Sequence, residues 1–210
     1  MSNYISTYDV IPLEKVQIRG IIADMLDSYR QAVESGDAPK NAIYKRDYKR
    51  WMVVFDKLGE GDSYLDIGIG MGQLVNSAKR SGKFATVRGA DKKPHSGLRN
   101  IDGFEQVEID LVQIPNPEYR ADVVTCLEVL EHLSNTGLQL AIQNLLFLAR
   151  KKLLITVPYN EDPLPKFHKQ SFSLTRLEQL FPTGKITLIS EGAYNRWALV
   201  EIDTDPNAPR

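Results

Sequence analysis

The sequence predicts an α/β fold: a seven-stranded, mostly parallel sheet with an antiparallel last strand, helices on both faces, and an amino-terminal helical extension. Three observations carry this expectation. From Ser63 onward, short apolar runs alternate with helix-patterned segments, as crossover connections between parallel strands require. The last two runs are joined only through Glu191-Gly-Ala-Tyr-Asn195, too few residues for a crossover, so they pair antiparallel. Finally, 210 residues, 42% of them hydrophobic, suffice for one sizeable core but not for two ordinary domains.

The elements follow in order. Apolar residues at Val16, Ile18, Ile21, Ile22, Met25, Leu26 and Tyr29 recur nearer a period of 3.6 than of 2, which predicts an amphipathic helix within Ile11 to Val33. Glu34-Ser-Gly-Asp-Ala-Pro-Lys40 breaks it. A second helix is expected from Ala42 to Leu58, with Lys45, Arg46, Lys49 and Arg50 interleaved with Tyr44, Tyr48 and Trp51; Gly59-Glu-Gly-Asp62 then makes a turn. The strands are read as Tyr64 to Ile67, Thr86 to Ala90, Gln106 to Ile109, Val123 to Leu127, Leu153 to Val157, Ile186 to Ser190 and Trp197 to Ile202. Helices between them are clearest at Gly72 to Ser81, Gly137 to Ala149 and Leu174 to Phe181. The end of the chain has two prolines and little to bury, so it reads as loose. The units are therefore a helical cap or lid over 1–58, belonging to the same domain, a core over 59–203, and a tail over 204–210.

Composition narrows the function classes. The chain has 26 Lys plus Arg against 27 Asp plus Glu, a formal net charge of −1, which argues against a protein built mainly to hold nucleic acid. The single Cys126 removes an internal disulfide framework and any multi-cysteine zinc site. The first residues lack the apolar core of a signal peptide, and no stretch approaches the roughly 20 apolar residues that span a bilayer. A soluble, cytoplasmic domain is the expectation, with no membrane partner.

The most informative segment is Tyr64-Leu-Asp-Ile-Gly-Ile-Gly-Met-Gly-Gln-Leu74. A strand runs into Asp66-x-Gly68-x-Gly70-x-Gly72 and a helix starts at once. Glycines are needed where the backbone turns sharply and a ligand lies against the main chain. The helix start then offers free N–H groups. A pyrophosphate loop would read Gly-x-Gly-x-x-Gly. An acid two residues upstream of a Gly-x-Gly-x-Gly run suits instead a ligand bearing an ammonium or sulfonium group.

These residues resemble the class I S-adenosylmethionine-dependent methyltransferases, over about Ser63 to Ile202. The resemblance implies a Rossmann-like sheet and a glycine loop, Asp66, Gly68, Gly70 and Gly72, wrapping the methionine part of S-adenosylmethionine. It places Asp91, followed by Lys92, at the ribose position, 19 residues after Gly72, where one carboxylate can accept from both hydroxyls. Asp110 matches the adenine-amino position, with Leu111 against the ring. Leu127 ends the fourth predicted strand, beside the reactive methyl.

Past that strand, Cys126-Leu-Glu-Val-Leu-Glu-His-Leu133 places Glu128, Glu131 and His132 where one turn could gather them. Two carboxylates and an imidazole make a divalent-metal face, for Mg²⁺ or a similar ion. The ubiquinone-biosynthesis O-methyltransferases and the small-RNA 2′-O-methyltransferases, which this segment resembles, use Glu-x-x-Glu-His so. In metal-free small-molecule enzymes with the same string, Glu128 or His132 instead lines the pocket or caps the next helix. His168 sits in a proline-bearing loop after the fifth predicted strand, over the sheet edge where ligands of such folds bind. It either fixes the loop or acts as a base or substrate ligand. Where the RNA enzymes carry a metal-binding histidine nearer the matching Phe172, this chain has Gln170. His95 reads as a surface residue.

His132, His168 and Glu128 are thus the candidate proton acceptors, and they point to oxygen as the atom methylated. The predicted activity is methyl transfer to a small molecule. The alternatives are an RNA ribose 2′-O or other macromolecular acceptor, motivated by the Lys45 to Arg50 cluster, and a non-catalytic cofactor-binding module. Tyr44, Tyr48 and Trp51 read as core contacts of their helix or as an aromatic wall for a substrate. The four cations read as a solvated face or as an attractor of anionic groups.

Overall fold

The computed structural model of the chain describes residues 8–37, 45–93 and 97–204. Tyr44, His95 and the tail from 205 lie outside these residues. The chain order is β1 (Asp9–Pro12), α1 (Gly20–Glu34), α2 (Lys45–Lys57), β2 (Gly61–Ile67), α3 (Gln73–Arg80), β3 (Phe84–Asp91), β4 (Glu105–Glu108), β5 (Ala121–Leu127), α4 (Asn135–Leu148), β6 (Ala149–Pro158), α5 (Leu174–Leu180), β7 (Lys185–Glu191) and β8 (Tyr194–Asp203).

One sheet runs β1-β7-β8-β6-β5-β2-β3-β4. Every pairing is parallel except those of β8 with β6 and β7. The α/β expectation holds, with each predicted strand present inside slightly wider bounds except Gln106 to Ile109, whose strand runs Glu105–Glu108 and stops before Ile109. The count of seven is corrected to eight, because Asp9–Pro12 pairs with Thr187–Ser190 at the β7 edge. The first predicted helix is corrected for the same reason. Ile11 lies in β1, and the helix starts only at Gly20, whose φ of +54° interrupts the helical run. Val16 and Ile18 therefore pack on α1 and α2 from an irregular segment.

Strand alternation explains the two faces. Leu65, Ile67, Val124, Cys126 and Ile155 pack with Leu138, Ala141 and Leu145 of α4 and Leu177 of α5. Their neighbours Tyr64, Val123, Leu127 and Leu154 pack with Val53 and Val54 of α2 and Leu74, Val75 and Ala78 of α3. This is the period-two alternation of a sheet covered on both sides. Helix α1 lies outside α2, joining Ile22, Met25 and Leu26 to Tyr48 and Met52. Cys126 is fully buried, which pushes its thiol well above the ordinary range. Among the described residues no helix is long and apolar enough to cross a membrane.

Candidate active site

From β2 the chain crosses to β3 on one side, while β5 pairs on the other. Strand order reverses there, and a crevice opens beyond the strands' carboxyl ends. A cavity of about 740 Å³ lies at this edge, lined among others by Asp66, Gly68, Gly70, Leu127, Glu128 and His168.

The loop after β2 requires its glycines. Gly68 has φ +76°, and a Cβ there would stand 2.2 Å from Cγ2 of Val129. Gly72 has φ +83°, and its Cβ would stand 2.9 Å from the carbonyl of Arg99. Asp66, at the end of β2, is buried and accepts a 2.6 Å hydrogen bond from Thr125, whose hydroxyl also lies 2.6 Å from that of Tyr64. Burial, helped by the nearby charge of Asp91, raises its carboxyl to about 7, although the Thr125 bond opposes this. Asp91 closes β3, half-buried. Asp110 follows β4 and is paired with Lys92 at 2.8 Å, which holds its carboxyl below the ordinary range. Leu111 is buried beside it. Asp91, Lys92, Asp110 and Leu111 do not line the cavity itself.

After β5 the three residues of Glu-x-x-Glu-His separate. Glu128 stands at φ +56°, a conformation non-glycine residues adopt at a cost. Its carboxylate has three partners: Thr156 Oγ1 donates at 3.0 Å, Trp197 Nε1 at 2.8 Å, and Arg50 Nη1 pairs at 2.8 Å. Glu131 is 1% exposed, and its Oε2 has no hydrogen-bond partner among the described residues. Burial, and then the charge of Glu128, raises its carboxyl above the ordinary range. The donors that converge are Glu131, His132 and His168, one atom of each within 4.8 Å of the others. Glu128 is thus drawn to Arg50, Trp197 and Thr156, and among the described residues it is His168, not Glu128, that converges with Glu131 and His132.

His168 is carried by the loop after β6, and its Nδ1 lies 2.6 Å from Oε2 of Glu161. Gln170 is 2% exposed and donates to the carbonyl of Leu133 and to Asn135. The basic cluster is divided. Arg50 is 6% exposed on Glu128, Lys49 donates to the carbonyl of Leu13, Arg46 lines the cavity and only Lys45 faces outward. Tyr48 is core; Trp51, edge-on to it at 4.8 Å, lines the cavity. Sequence reasoning missed Glu161, Thr156 and Trp197, which sit in no motif. It also missed the inward turn of Arg50, whose i, i+4 relation to Arg46 was the available signal.

A glycine loop and two strand-end acids at a topological switch point define the class of methyl-transferring α/β enzymes. Residues 41–199 match the family model described as Methyltransferase domain, and the chain belongs to that family. Its fold is shared with the methyltransferase domain of a bacterial Hen1 (TM-score 0.57, 17% identity, covering 72% of this chain and 94% of that one). It is shared too with the small RNA methyltransferase HEN1 (TM-score 0.63, 15% identity, 82% of this chain and 27% of that one). A third neighbour is magnesium protoporphyrin IX methyltransferase from Synechocystis PCC 6803 with bound SAH (TM-score 0.55, 17% identity, 90% of this chain and 89% of that one). No curated protein matches in sequence.

Proposed function

We propose that the chain transfers the methyl group of S-adenosylmethionine to a hydroxyl oxygen of a small molecule, with a divalent ion held by Glu131, His132 and His168. The carrying observation is that His168 reaches both places: it lines the cavity of the glycine loop and converges with Glu131 and His132. Asp66 and the loop receive the cationic methionine end of the cofactor, Asp91 the ribose hydroxyls, and Asp110 with Lys92 and Leu111 the adenine edge. Leu127 packs beside the reactive methyl.

The donor set fits an ion on its own chemistry. A buried carboxylate oxygen without a partner is costly unless a proton or a cation meets it, and the two imidazoles beside it make a cation site. One carboxylate and two imidazoles suit Mn²⁺, Fe²⁺, Co²⁺ or Zn²⁺ better than the oxygen-preferring Mg²⁺. When bound, such an ion lowers the pKa of a coordinated hydroxyl. The chain's own residues then hold the acceptor oxygen in line with the sulfur–methyl bond. The new carbon–oxygen bond forms as the carbon–sulfur bond breaks, and the hydroxyl proton leaves to solvent, because both nitrogens of His168 are already engaged. Support for a small acceptor over RNA comes from α2, where Arg50 and Lys49 are taken by internal partners.

A cofactor-consumption screen over phenols, sugars, amines and short RNAs, with Mn²⁺ and with chelator, tests the reading. Turnover of a small hydroxyl compound that chelator abolishes is expected. Turnover of amines alone, or indifference to chelator, contradicts it.

A further inference from the structure

We infer that Glu161 is the positioning residue of His168, fixing which imidazole nitrogen is offered to the ion; this rests on the ion reading above. A carboxylate only accepts, so the 2.6 Å contact makes Nδ1 of His168 the protonated nitrogen and leaves Nε2 as a bare lone pair. His132 is arranged alike: its Nδ1 lies 3.1 Å from the carbonyl of Phe167, again an acceptor only, which leaves its Nε2 free 3.8 Å from Oε1 of Glu131. Two imidazoles with Nδ1 spent on outer acceptors, beside a buried carboxylate with a free oxygen, form an outer shell of the kind that orients metal-binding histidines.

The two outer acceptors differ in charge. The Phe167 carbonyl is neutral, whereas Glu161 carries a full charge that makes the His168 ring a stronger donor. The loop holding Glu161 and His168 is bolted to the segment holding Glu131 and His132. Backbone N–H groups of Lys169 and Gln170 both donate to the Glu131 carbonyl, at 2.7 and 3.2 Å. Ser171 closes the loop on itself by donating to the Glu161 carbonyl at 3.1 Å. The Ser171 bond uses Glu161's main chain, so its carboxylate is left to serve His168.

Titration of the full chain with CoCl₂, followed by visible absorption, reads this directly. Saturable one-site binding is expected for the wild type and its loss for His168→Ala. For Glu161→Gln the expectation is about 10–100-fold weaker affinity and band positions shifted at saturation. Wild-type affinity and bands in both Glu161→Gln and Glu161→Ala would overturn the role of Glu161 while leaving the ion reading standing. So would a lowered melting temperature with wild-type bands at saturation, the mark of a merely structural contact. Absence of saturable Co²⁺ binding by the wild type would overturn the ion reading itself, and this inference with it.

Discussion

Glu128 and Glu131 lie three residues apart on one turn, yet their surroundings are opposite. The region around Glu128 supplies donors from α2, β6 and β8, so the carboxylate is answered by Arg50, Thr156 and Trp197. The region around Glu131 supplies a closer burial and, among the described residues, no donor to Oε2, with two imidazoles within reach. The difference teaches that a motif's spelling does not assign its roles. The donors brought by distant elements decide which acid is structural and which is available to a ligand.

Removing a donor should break the comparison most. Arg50→Ala leaves Glu128 part-buried and short of its cation, and a loss of about 3 kcal/mol is expected by urea denaturation. A loss below about 1 kcal/mol would mean that Glu128 is held by Thr156 and Trp197 alone. Asp66 sharpens the comparison as an intermediate case, buried with Thr125 as its donor. Its carboxyl is raised from 3.8 to about 7 in the folded state, so between those values the folded chain holds more protons than the unfolded one. Stability contributed by this group therefore falls as pH rises from about 4 to 7 and is flat above. Asp66→Asn should gain steadily on the wild type across that window. An unchanging difference in stability from pH 4 to 8 would contradict it. The smallest effect belongs to a pair in water. Arg19 meets Asp56 at 2.8 Å with side chains 58% and 44% exposed. Arg19→Ala should cost under about 1 kcal/mol by thermal denaturation, and a larger cost would show that burial is not what separates the two regions.

The parts of the site that were legible are those whose cause is local. Gly68 and Gly72 are demanded by backbone conformation and close approach, which leave a mark on the sequence itself. Strand alternation likewise announced β2 and β5. The edge strand β1 was hidden because Ile11 and the residues after it continue an apolar spacing into α1, and pairing with β7 is a long-range event. The acceptor side was hidden for the same reason. Arg50, Glu161, Thr156 and Trp197 come from four separate segments, and no spacing in the chain links them. His168 was legible as a candidate, but its convergence with Glu131 depends on the loop bonds to the Glu131 carbonyl.

Calorimetric titration with S-adenosylmethionine, comparing the wild type with Asp91→Ala, tests the central claim that this glycine loop and its strand-end acids hold that cofactor. The account predicts saturable one-site binding by the wild type and at least tenfold weaker binding by the variant, the loss expected when a charged acceptor of two hydroxyl hydrogen bonds is removed. No binding by the wild type, or undiminished binding by Asp91→Ala, would contradict it.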